Sequence, residues 1–342
     1  MRLIVMLTVF CFLGHAQFKS STSLVIAPTV VRDSAKAFVD GLAAEDLALF
    51  DNNVQQEIRM EWMEYPIDLV VAVQTSANSG AVIDKLGGIG ILLTQLVAAN
   101  GGETAVISFS DEVKIHQSFT GNPDAVTHAI KMLRKEGSNA HLLDALRQAE
   151  TMLDARPPGR RRIVFIIAEK RDRGSKTQLV EVVEALQRFN TAVYWITYSP
   201  FLQPFTVNNK IAEDLKPEAE RIKFRKCALC PGPDETPVPF DIGPGGGIYA
   251  LGELMRLSLP DFAVLFTRTT GGRMLNFVKK GALEEAVQLI GEEIHRQYIL
   301  SFQPKADRTG SFHSIKVSVK NRPELKASTR AGYWAVQSLK EW

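Results

Sequence analysis

Residues 66–79 read "PIDLVVAVQTSANS", and this stretch decides the fold. Its apolar run from Ile67 to Val73 is nearly continuous and too short for an independent helix, which is typical of a strand buried on both faces of a parallel sheet. Small and polar residues follow at once, so the strand is expected to end in a loop at the edge of the sheet.

Further apolar runs of the same kind lie downstream, and amphipathic helix patterns separate them. The predicted central strands are Thr104 to Phe109, Arg162 to Ala168 and Ala192 to Thr197, and "EVKIHQSF" (112–119) predicts an antiparallel edge strand. The predicted helices are Ala81 to Ala99, Pro123 to Arg134, Leu142 to Ala155 and Lys176 to Phe189. This alternation predicts an α/β fold with three layers, α/β/α, around a mostly parallel sheet.

The flanking segments divide the chain into four parts. Residues 1–16 form a leader, 17–64 a strand-rich N-terminal segment, 65–297 the main domain and 298–342 a C-terminal β extension. Within the main domain, residues 199–247 hold much of the Pro and Gly and are predicted to be a long insertion. After it we predict helix Ile248 to Ser258, a strand near "GGRMLNF" and helix Ala282 to Gln297. The last three alternating segments are expected to add strands to the edge of a sheet.

The leader has the features of a signal peptide. Arg2 precedes a short apolar core from Leu3 to Leu13, and Gly14 and Ala16 suit cleavage. That core is about half the length that spans a bilayer, which argues against a membrane anchor, and no later segment is predicted to cross a membrane. We therefore expect a secreted or periplasmic protein.

Composition excludes some classes of partner. With 40 basic and 38 acidic residues among 342, the formal charge is +2, so no overall bias favours nucleic acid or an acidic membrane surface. Hydrophobic residues make up 45% of the chain, enough for a sizeable core.

Removal of the leader leaves two cysteines, Cys227 and Cys230, in "KCALCPGPDE". A local disulfide is the simplest interpretation in an exported protein. A redox site would be expected at a helix start after a strand, whereas these residues lie in a Pro- and Gly-rich loop. Zinc would need two further ligands, which no second CxxC or His pair supplies.

Several phrases together resemble a von Willebrand factor type A domain. They are "PIDLVVAVQTSAN", "AVISFSDEVKIHQSFT", "SNAHLLDALRQA" and "RIVFIIAEKRDRGSKT". The N-terminal "VVRDSAKAFVDGLAAEDLALFDNNVQQEI" and the C-terminal "TTGGRMLNF", "IGEEIHRQYILSFQP", "SIKVSVK" and "RAGYW" are similar to the segments that flank the domain in exported bacterial VWFA-related proteins of the acidobacterial type. The resemblance spans nearly the whole mature chain and implies a Rossmann-like fold.

In this family a divalent ion usually sits at the carboxyl edge of the sheet, held by a DxSxS loop, a Thr and a later Asp. The chain departs from that pattern at every position but the first Ser. The Thr aligns with Ala140, although Ser138 or Asn139 could take its place if the alignment shifts. The positions that match the pattern are, in order, Gln74, Ser76, Asn78, Ala140 and Glu169.

Only one carboxylate survives in this set, so a divalent ion should be held weakly or not at all. We expect no cofactor, or at most weak Mg²⁺ or Mn²⁺ binding through Ser76, Asn78 and Glu169. The structural interpretation is that Gln74 and these three residues form a hydrogen-bonded cluster where an ion would sit. Asp111 and Asp172, in neighbouring loops, could add charge there or could be ordinary turn residues. The degenerate site and its loops are the predicted surface for a protein partner.

Motifs of catalysis are missing. The sequence has no GxSxG, HExxH or Walker motif, and the histidines are scattered. His141, before a predicted helix, is expected at the surface, and "RPPGRRR" (156–162) is read as a solvated loop in preference to a basic patch. The sequence therefore predicts an exported, non-enzymatic protein-interaction module that binds an unknown protein partner. A metal-dependent adhesion domain and a thiol redox protein that uses the CxxC motif are the two competing hypotheses.

Overall fold

A computed structural model describes residues 24–61, 65–76, 79–98, 101–198, 261–276, 282–304 and 312–334. The predicted leader, the insertion at 199–247 and helix Ile248 to Ser258 lie outside the described residues. Cys227, Cys230 and Asn78 lie outside them too.

The secondary structure elements follow in chain order. The strands are β1 Val25–Arg32, β2 Leu47–Asp51, β3 Val54–Gln56, β4 Ile58–Glu61, β5 Ile67–Gln74, β6 Glu103–Phe109, β7 Val113–Thr120, β8 Arg161–Ala168, β9 Ala192–Thr197, β10 Met274–Asn276, β11 Tyr298–Phe302, β12 Phe312–Val319, β13 Lys326–Ser328 and β14 Gly332–Trp334. The α-helices are α1 Gly80–Ile83, α2 Ile89–Val97, α3 Pro123–Lys131, α4 Leu142–Asp154, α5 Leu179–Arg188, α6 Phe262–Thr270 and α7 Ala282–His295.

A six-stranded sheet forms the centre of the molecule, in the order β10-β9-β8-β5-β6-β7. Neighbouring strands run parallel, except that β7 runs antiparallel to β6 at one edge. The predicted central strands, the antiparallel edge strand at 112–119 and the short strand near "GGRMLNF" are confirmed.

Strand β5 lies in the middle of this sheet, and all eight of its residues are buried. Successive side chains of a strand point to opposite faces. Accordingly Leu69 and Val71 pack in one apolar cluster, whereas Val70 and Ala72 pack in the other. Both faces of the strand therefore need a covering layer.

Helices supply those layers. Residues of α1, α2, α3 and α7 share one cluster with the sheet, and residues of α4, α5 and α6 share the other. The predicted three-layer α/β/α architecture is confirmed. Among the helices of the described residues, none is long and apolar enough to cross a bilayer.

The helix predicted from Ala81 to Ala99 is interrupted. Helix α1 ends at Ile83, a 3₁₀ turn occupies Leu86–Gly88, and α2 begins at Ile89. Two successive glycines in this turn explain the break, because glycine is a poor helix former. A third, Gly90, lies so close to α3 that an added Cβ would come within 2.6 Å of Thr127 Oγ1.

The remaining strands form what we call the β module, residues 24–61, 298–304 and 312–334. It consists of two four-stranded sheets, in the orders β13-β1-β11-β4 and β14-β12-β2-β3. The expectation that the C-terminal segments add strands to the edge of a sheet holds for β13 and β14, whereas β11 and β12 lie inside the sheets and pair with N-terminal strands. The alternating apolar faces of the two chain ends pack together around Leu49, Leu300 and Val317. The N-terminal segment and the C-terminal extension are thus one structural unit.

Ionic contacts join the β module to the central domain. Glu293 on α7 accepts hydrogen bonds from Arg32 of β1 at 2.7 Å and from Arg273 at 3.0 Å. Arg330 is buried, and its Nη1 donates to Asn190 Oδ1 at 2.6 Å. Burial lowers the pKa of the Arg330 guanidinium to about 10. These contacts fix the β module against α7 and against the turn that precedes β9.

Asp68, near the start of β5, is completely buried and is clamped by two arginines. Arg156 Nε and Arg160 Nε lie 2.9 Å and 2.7 Å from Asp68 Oδ2, and each guanidinium makes a second bond to Oδ1. Arg156 also lies over the ring of Phe119, 4.6 Å from its centroid. The reading of 156–162 as a solvated loop is therefore wrong for these two arginines, which neutralise a buried carboxylate.

We expect Asp68→Ala to lower the free energy of unfolding by about 3–5 kcal/mol, since it leaves two partly buried guanidinium groups without their carboxylate. Urea unfolding would measure this. Asp40→Ala is the matched control, because Asp40 pairs with Arg296 at 2.9 Å but is exposed, and its loss should cost about 1 kcal/mol or less. Equal losses in the two variants would contradict a stabilising role for the clamp.

A second buried carboxyl group, Glu150, lies on α4. Burial raises its pKa to about 7, and the neighbouring Thr191 and Arg162 offset that rise only in part. Between pH 4.5 and about 7 the folded chain therefore keeps a proton that the unfolded chain releases. The resulting stabilisation is fully present below pH 4.5 and is lost as the pH rises through about 7.

We expect Glu150→Gln to remove this pH dependence. At about pH 8.5 the variant should be more stable than the parent protein by about 3 kcal/mol, whereas at about pH 4.5 the two should be similar. Chemical unfolding across this pH range would test the prediction. Glu181→Gln makes the same chemical change at an exposed position of α5, and this control should alter stability by about 0.5 kcal/mol or less. A constant difference for Glu150→Gln would contradict the assigned titration.

Candidate functional site

The loops at the carboxyl ends of β5, β6 and β8 meet beside the start of α4. We call this surface the rim, residues 74–76, 110–112, 136–144 and 169–177. Open α/β sheets place their ligands at this edge, where strand order reverses. In this sheet β5 connects forward to β6 on one side while β8 lies on its other side.

Gln74, the last residue of β5, joins two of these loops. Its Nε2 donates to Ser76 Oγ at 2.7 Å, and its Oε1 accepts the backbone N–H of Glu169 at 2.9 Å. Ser79 Oγ in turn donates to the Ser76 carbonyl at 2.6 Å. Gln74, Ser76 and Ser79 are all buried, so the amide side chain closes the end of the strand from within.

Glu169 and Ala140, the other two described positions of the pattern, meet at Arg173. The Arg173 guanidinium forms a short ion pair with the Glu169 carboxylate. The backbones of Ala140 and Arg173 exchange two hydrogen bonds, of 3.1 Å and 2.8 Å. Ala140 is fully buried and Glu169 nearly so. A cationic side chain thus lies against the carboxylate of this cluster.

Asp111 organises the loop before α4. Its carboxylate accepts the backbone N–H of Asn139 at 2.9 Å and that of Ser138 at 3.2 Å. These backbone donors hold the pKa of the Asp111 carboxyl below its ordinary value. The residue acts as a turn residue here, which was one of the two interpretations from sequence.

The start of α4 is tied to the loop after β8. The backbone N–H of Leu143 donates to Asp172 Oδ1 and to Ser175 Oγ, both at 3.1 Å. In the opposite direction, Asp144 Oδ1 accepts the backbone N–H of Thr177 at 2.8 Å. Because residues 176 and 177 are engaged in this exchange, α5 begins at Leu179 and not at the predicted Lys176.

His141 lies inside this junction. Its ring is largely covered, with 15% of the side chain exposed, and Nδ1 lies 3.6 Å from Asp144 Oδ2. Gly174 has a φ of +97°, and an added Cβ there would come within 2.8 Å of His141 Nε2. The expectation of a surface histidine is wrong, since the loop after β8 folds over the ring.

The described donor set does not fit a divalent ion. Gln74 Oε1 and Ser76 Oγ are engaged with groups of the cluster itself, Ala140 has no side-chain oxygen, and a guanidinium lies against Glu169. Hard divalent cations need several free oxygen ligands, at least one of them usually a carboxylate. Within the described ranges, no group of three or more His, Cys, Asp or Glu side chains could hold a metal.

The sequence from β5 to the loop after β8 matches a known family. Residues 70–171 match the family described as von Willebrand factor type A domain. This chain contains a von Willebrand factor type A domain. The matched range includes Gln74, Ser76, Ala140 and Glu169, and the three-layer sheet agrees with the fold of that family.

Three solved structures resemble the chain at low identity. One is the VWA domain of SpRpn10, at 12% identity, with 39% of this chain and 75% of that chain covered and a TM-score of 0.33. Another is the conserved hypothetical protein BatB from Bacteroides thetaiotaomicron, at 13% identity, 67% and 98% coverage and a TM-score of 0.41. The third is an aerotolerance-related membrane protein from Bacteroides fragilis NCTC 9343 with multiple mutations to serines, at 14% identity, 38% and 67% coverage and a TM-score of 0.31. No curated protein is significantly similar in sequence.

Within the VWA domain, burial separates the predicted site residues from the surface that a partner could reach. Gln74, Ser76, Ala140 and Glu169 are buried, so they shape the rim without forming its outer face. The exposed side chains of the rim are those of Asp111, Glu112, Ser138, Asn139, Arg171 and Lys176. The sequence analysis did not identify the ion pair between Arg173 and Glu169. The spacing of four residues between the acid and the cation was the one feature of the sequence that could have indicated it.

We expect Gln74→Leu to lower the free energy of unfolding by about 2–4 kcal/mol, because it leaves the buried Ser76 hydroxyl and the Glu169 amide without their partner. Urea unfolding would measure the loss. Gln95→Leu is the matched control, since Gln95 is exposed on α2 and its replacement should change stability by about 0.5 kcal/mol or less. A neutral Gln74→Leu would show that the cluster does not stabilise the rim.

Proposed function

We propose that this chain is an exported, non-enzymatic protein-interaction module whose rim binds a protein partner without a metal ion. A VWA domain suggests an interaction or adhesion-type module. The observation that carries the metal-free part of the proposal is the position of the Arg173 guanidinium against Glu169. It supplies positive charge at the carboxylate where the family pattern implies an ion.

Rigidity of the rim supports a role in binding. The loop before α4 is held by Asp111, and the loop after β8 is held by the backbone exchange between Ala140 and Arg173. Further bonds from Asp172 and Ser175 fix the same two loops to each other. A binding surface that is ordered before contact loses less conformational entropy on association. The rim therefore does not need an ion to position its loops.

Export and the absence of catalysis rest on the sequence. The leader at 1–16 supports secretion or a periplasmic location, and the missing nucleophile, zincin and nucleotide motifs support a role in binding. The thiol hypothesis depends on Cys227 and Cys230, so a double Cys→Ser variant that folds and keeps its binding would remove it.

The test is partner capture by the immobilised mature protein, residues 17–342, from an extract of the cells that produce it. Partners quantified by mass spectrometry should be enriched equally in EDTA and in Mg²⁺. The double variant Ser138→Arg/Arg171→Glu changes two exposed rim positions and should lose the same partners. Ser328→Arg/Arg322→Glu makes the same chemical changes on the exposed surface of the β module and should retain them.

Two outcomes would contradict the proposal. Partners lost in EDTA and regained with Mg²⁺ would establish metal-dependent adhesion. A saturable rise in the thermal midpoint would accompany it, since an ion at about 100 times its dissociation constant adds roughly 2.7 kcal/mol. Partners that are lost from the β-module variant and kept by the rim variant would place the binding surface elsewhere.

A further inference from the structure

A pocket of about 430 Å³ borders the rim between α1 and the end of α3. Its basic lining residues are Lys131, Arg134 and Lys135, and one acidic residue, Asp84, also lines it. Of the residues that line it, three are therefore cationic and one is anionic, whereas the whole chain is nearly balanced in charge. The pocket is a local concentration of positive charge.

Glycines keep the wall beside the lysines open. An added Cβ at Gly80 would lie 3.7 Å from Lys135 Cδ, and one at Gly87 would lie 3.9 Å from Lys131 Cγ. The lysine stems thus pass directly over bare backbone. A larger residue at either glycine would occupy part of the space in which a ligand could approach the backbone.

The three cations are not neutralised within the described part of the chain. Arg134 Nη1 donates to the backbone carbonyls of Lys131 and Leu133, at 2.6 Å and 2.8 Å, which leaves its charge unpaired. Neither lysine forms an ion pair with any described carboxylate. Glu136, the acidic residue next in sequence to Lys135, is already paired with Lys114. Positive charge in the pocket is therefore available to a partner.

The backbone connects this pocket directly to the rim. Gly80 follows Ser79, whose hydroxyl donates to the Ser76 carbonyl. On the opposite wall, Lys135 precedes Glu136, whose N–H donates to the Thr75 carbonyl at 2.7 Å. A ligand that occupied the pocket would therefore contact the same two loops that support the rim.

We propose that this pocket binds an acidic segment of the protein partner, with partner carboxylates paired to Lys131, Lys135 and Arg134. The inference rests on the proposed function and assigns a chemistry to the partner. Asp84 in the wall disfavours a densely charged polyphosphate chain, whereas a peptide can space its carboxylates to avoid it. The half-buried side chain of Ile83 adds apolar lining, which suits a peptide better than a bare anion.

Fluorescence anisotropy of a labelled hexaglutamate peptide with the mature protein tests the proposal. Binding is expected at low salt and should weaken in about 0.5 M NaCl, where charges a few ångströms apart are screened. Lys131→Ala/Lys135→Ala should weaken binding about tenfold while Arg134 keeps its contacts at the end of α3. Lys131→Gln/Lys135→Gln, which preserves most of the side-chain length, should give the same loss.

The matched control is Lys316→Ala/Lys320→Ala, which removes the same charge from exposed positions of the β module. It should change the dissociation constant by about twofold or less. An equal loss in both double variants would overturn the proposal by showing general charge attraction. Displacement of the peptide by equimolar inorganic phosphate would overturn it in favour of a small-anion site. Tighter binding of a single-stranded oligonucleotide to the same lysines would assign the pocket to nucleic acid.

This result is separable from the fate of the proposed function. If the peptide does not bind but capture of partners still depends on the rim, only the chemistry assigned to the pocket fails. If the peptide binds through Lys131 and Lys135 but no captured protein depends on the rim, the pocket stands and the proposed function fails.

Discussion

The structure depends on the burial of β5 on both faces. A strand enclosed by helices above and below can carry polar side chains only where a partner meets them, because an unpaired buried polar group is costly. In β5 such side chains lie at the two ends. Asp68 near the start is neutralised by Arg156 and Arg160, and Gln74 at the end is satisfied by Ser76 and the amide of Glu169. The polar contacts at the start of β5 are thus ion pairs, whereas those of Gln74 at its end are neutral hydrogen bonds.

The neutral side chain of Gln74 changes the charge of the buried cluster beneath the rim. With a carboxylate at position 74, the buried cluster would hold two acids, at 74 and 169, and would carry one more negative charge to balance. Gln74 removes one negative charge and supplies an N–H group for Ser76, while Arg173 balances the acid that remains. Asp111, Asp172 and the backbone of Ala140 hold the surrounding loops to one another through hydrogen bonds.

The central sheet could be predicted from the sequence, because each of its strands has a recognisable pattern within its own few residues. Strands such as 67–73 are apolar on both faces, and that pattern has few alternative structures. The sequence was insufficient for the β module, because the alternating strands at the two chain ends are equally compatible with an added edge or with a separate sheet. The pairing of β1 with β11 joins residues more than 250 positions apart, which no local pattern reports. The solvated-loop interpretation fails at Arg156 and Arg160 for the same reason, since their partner, Asp68, is also distant in sequence.

A cationic side chain of this protein therefore indicates a binding surface only if it is not already paired with a carboxylate of the fold. Several cations near the central sheet are already paired: Arg156 and Arg160 with Asp68, Arg173 with Glu169, and Lys114 with Glu136. Recognition that used any of these groups would first have to break an internal ion pair. The lysines at 131 and 135 carry no such cost, and the glycines opposite them leave room for a ligand. Lys131 and Lys135 therefore lie where a partner's carboxylates could pair with them without breaking an ion pair of the fold.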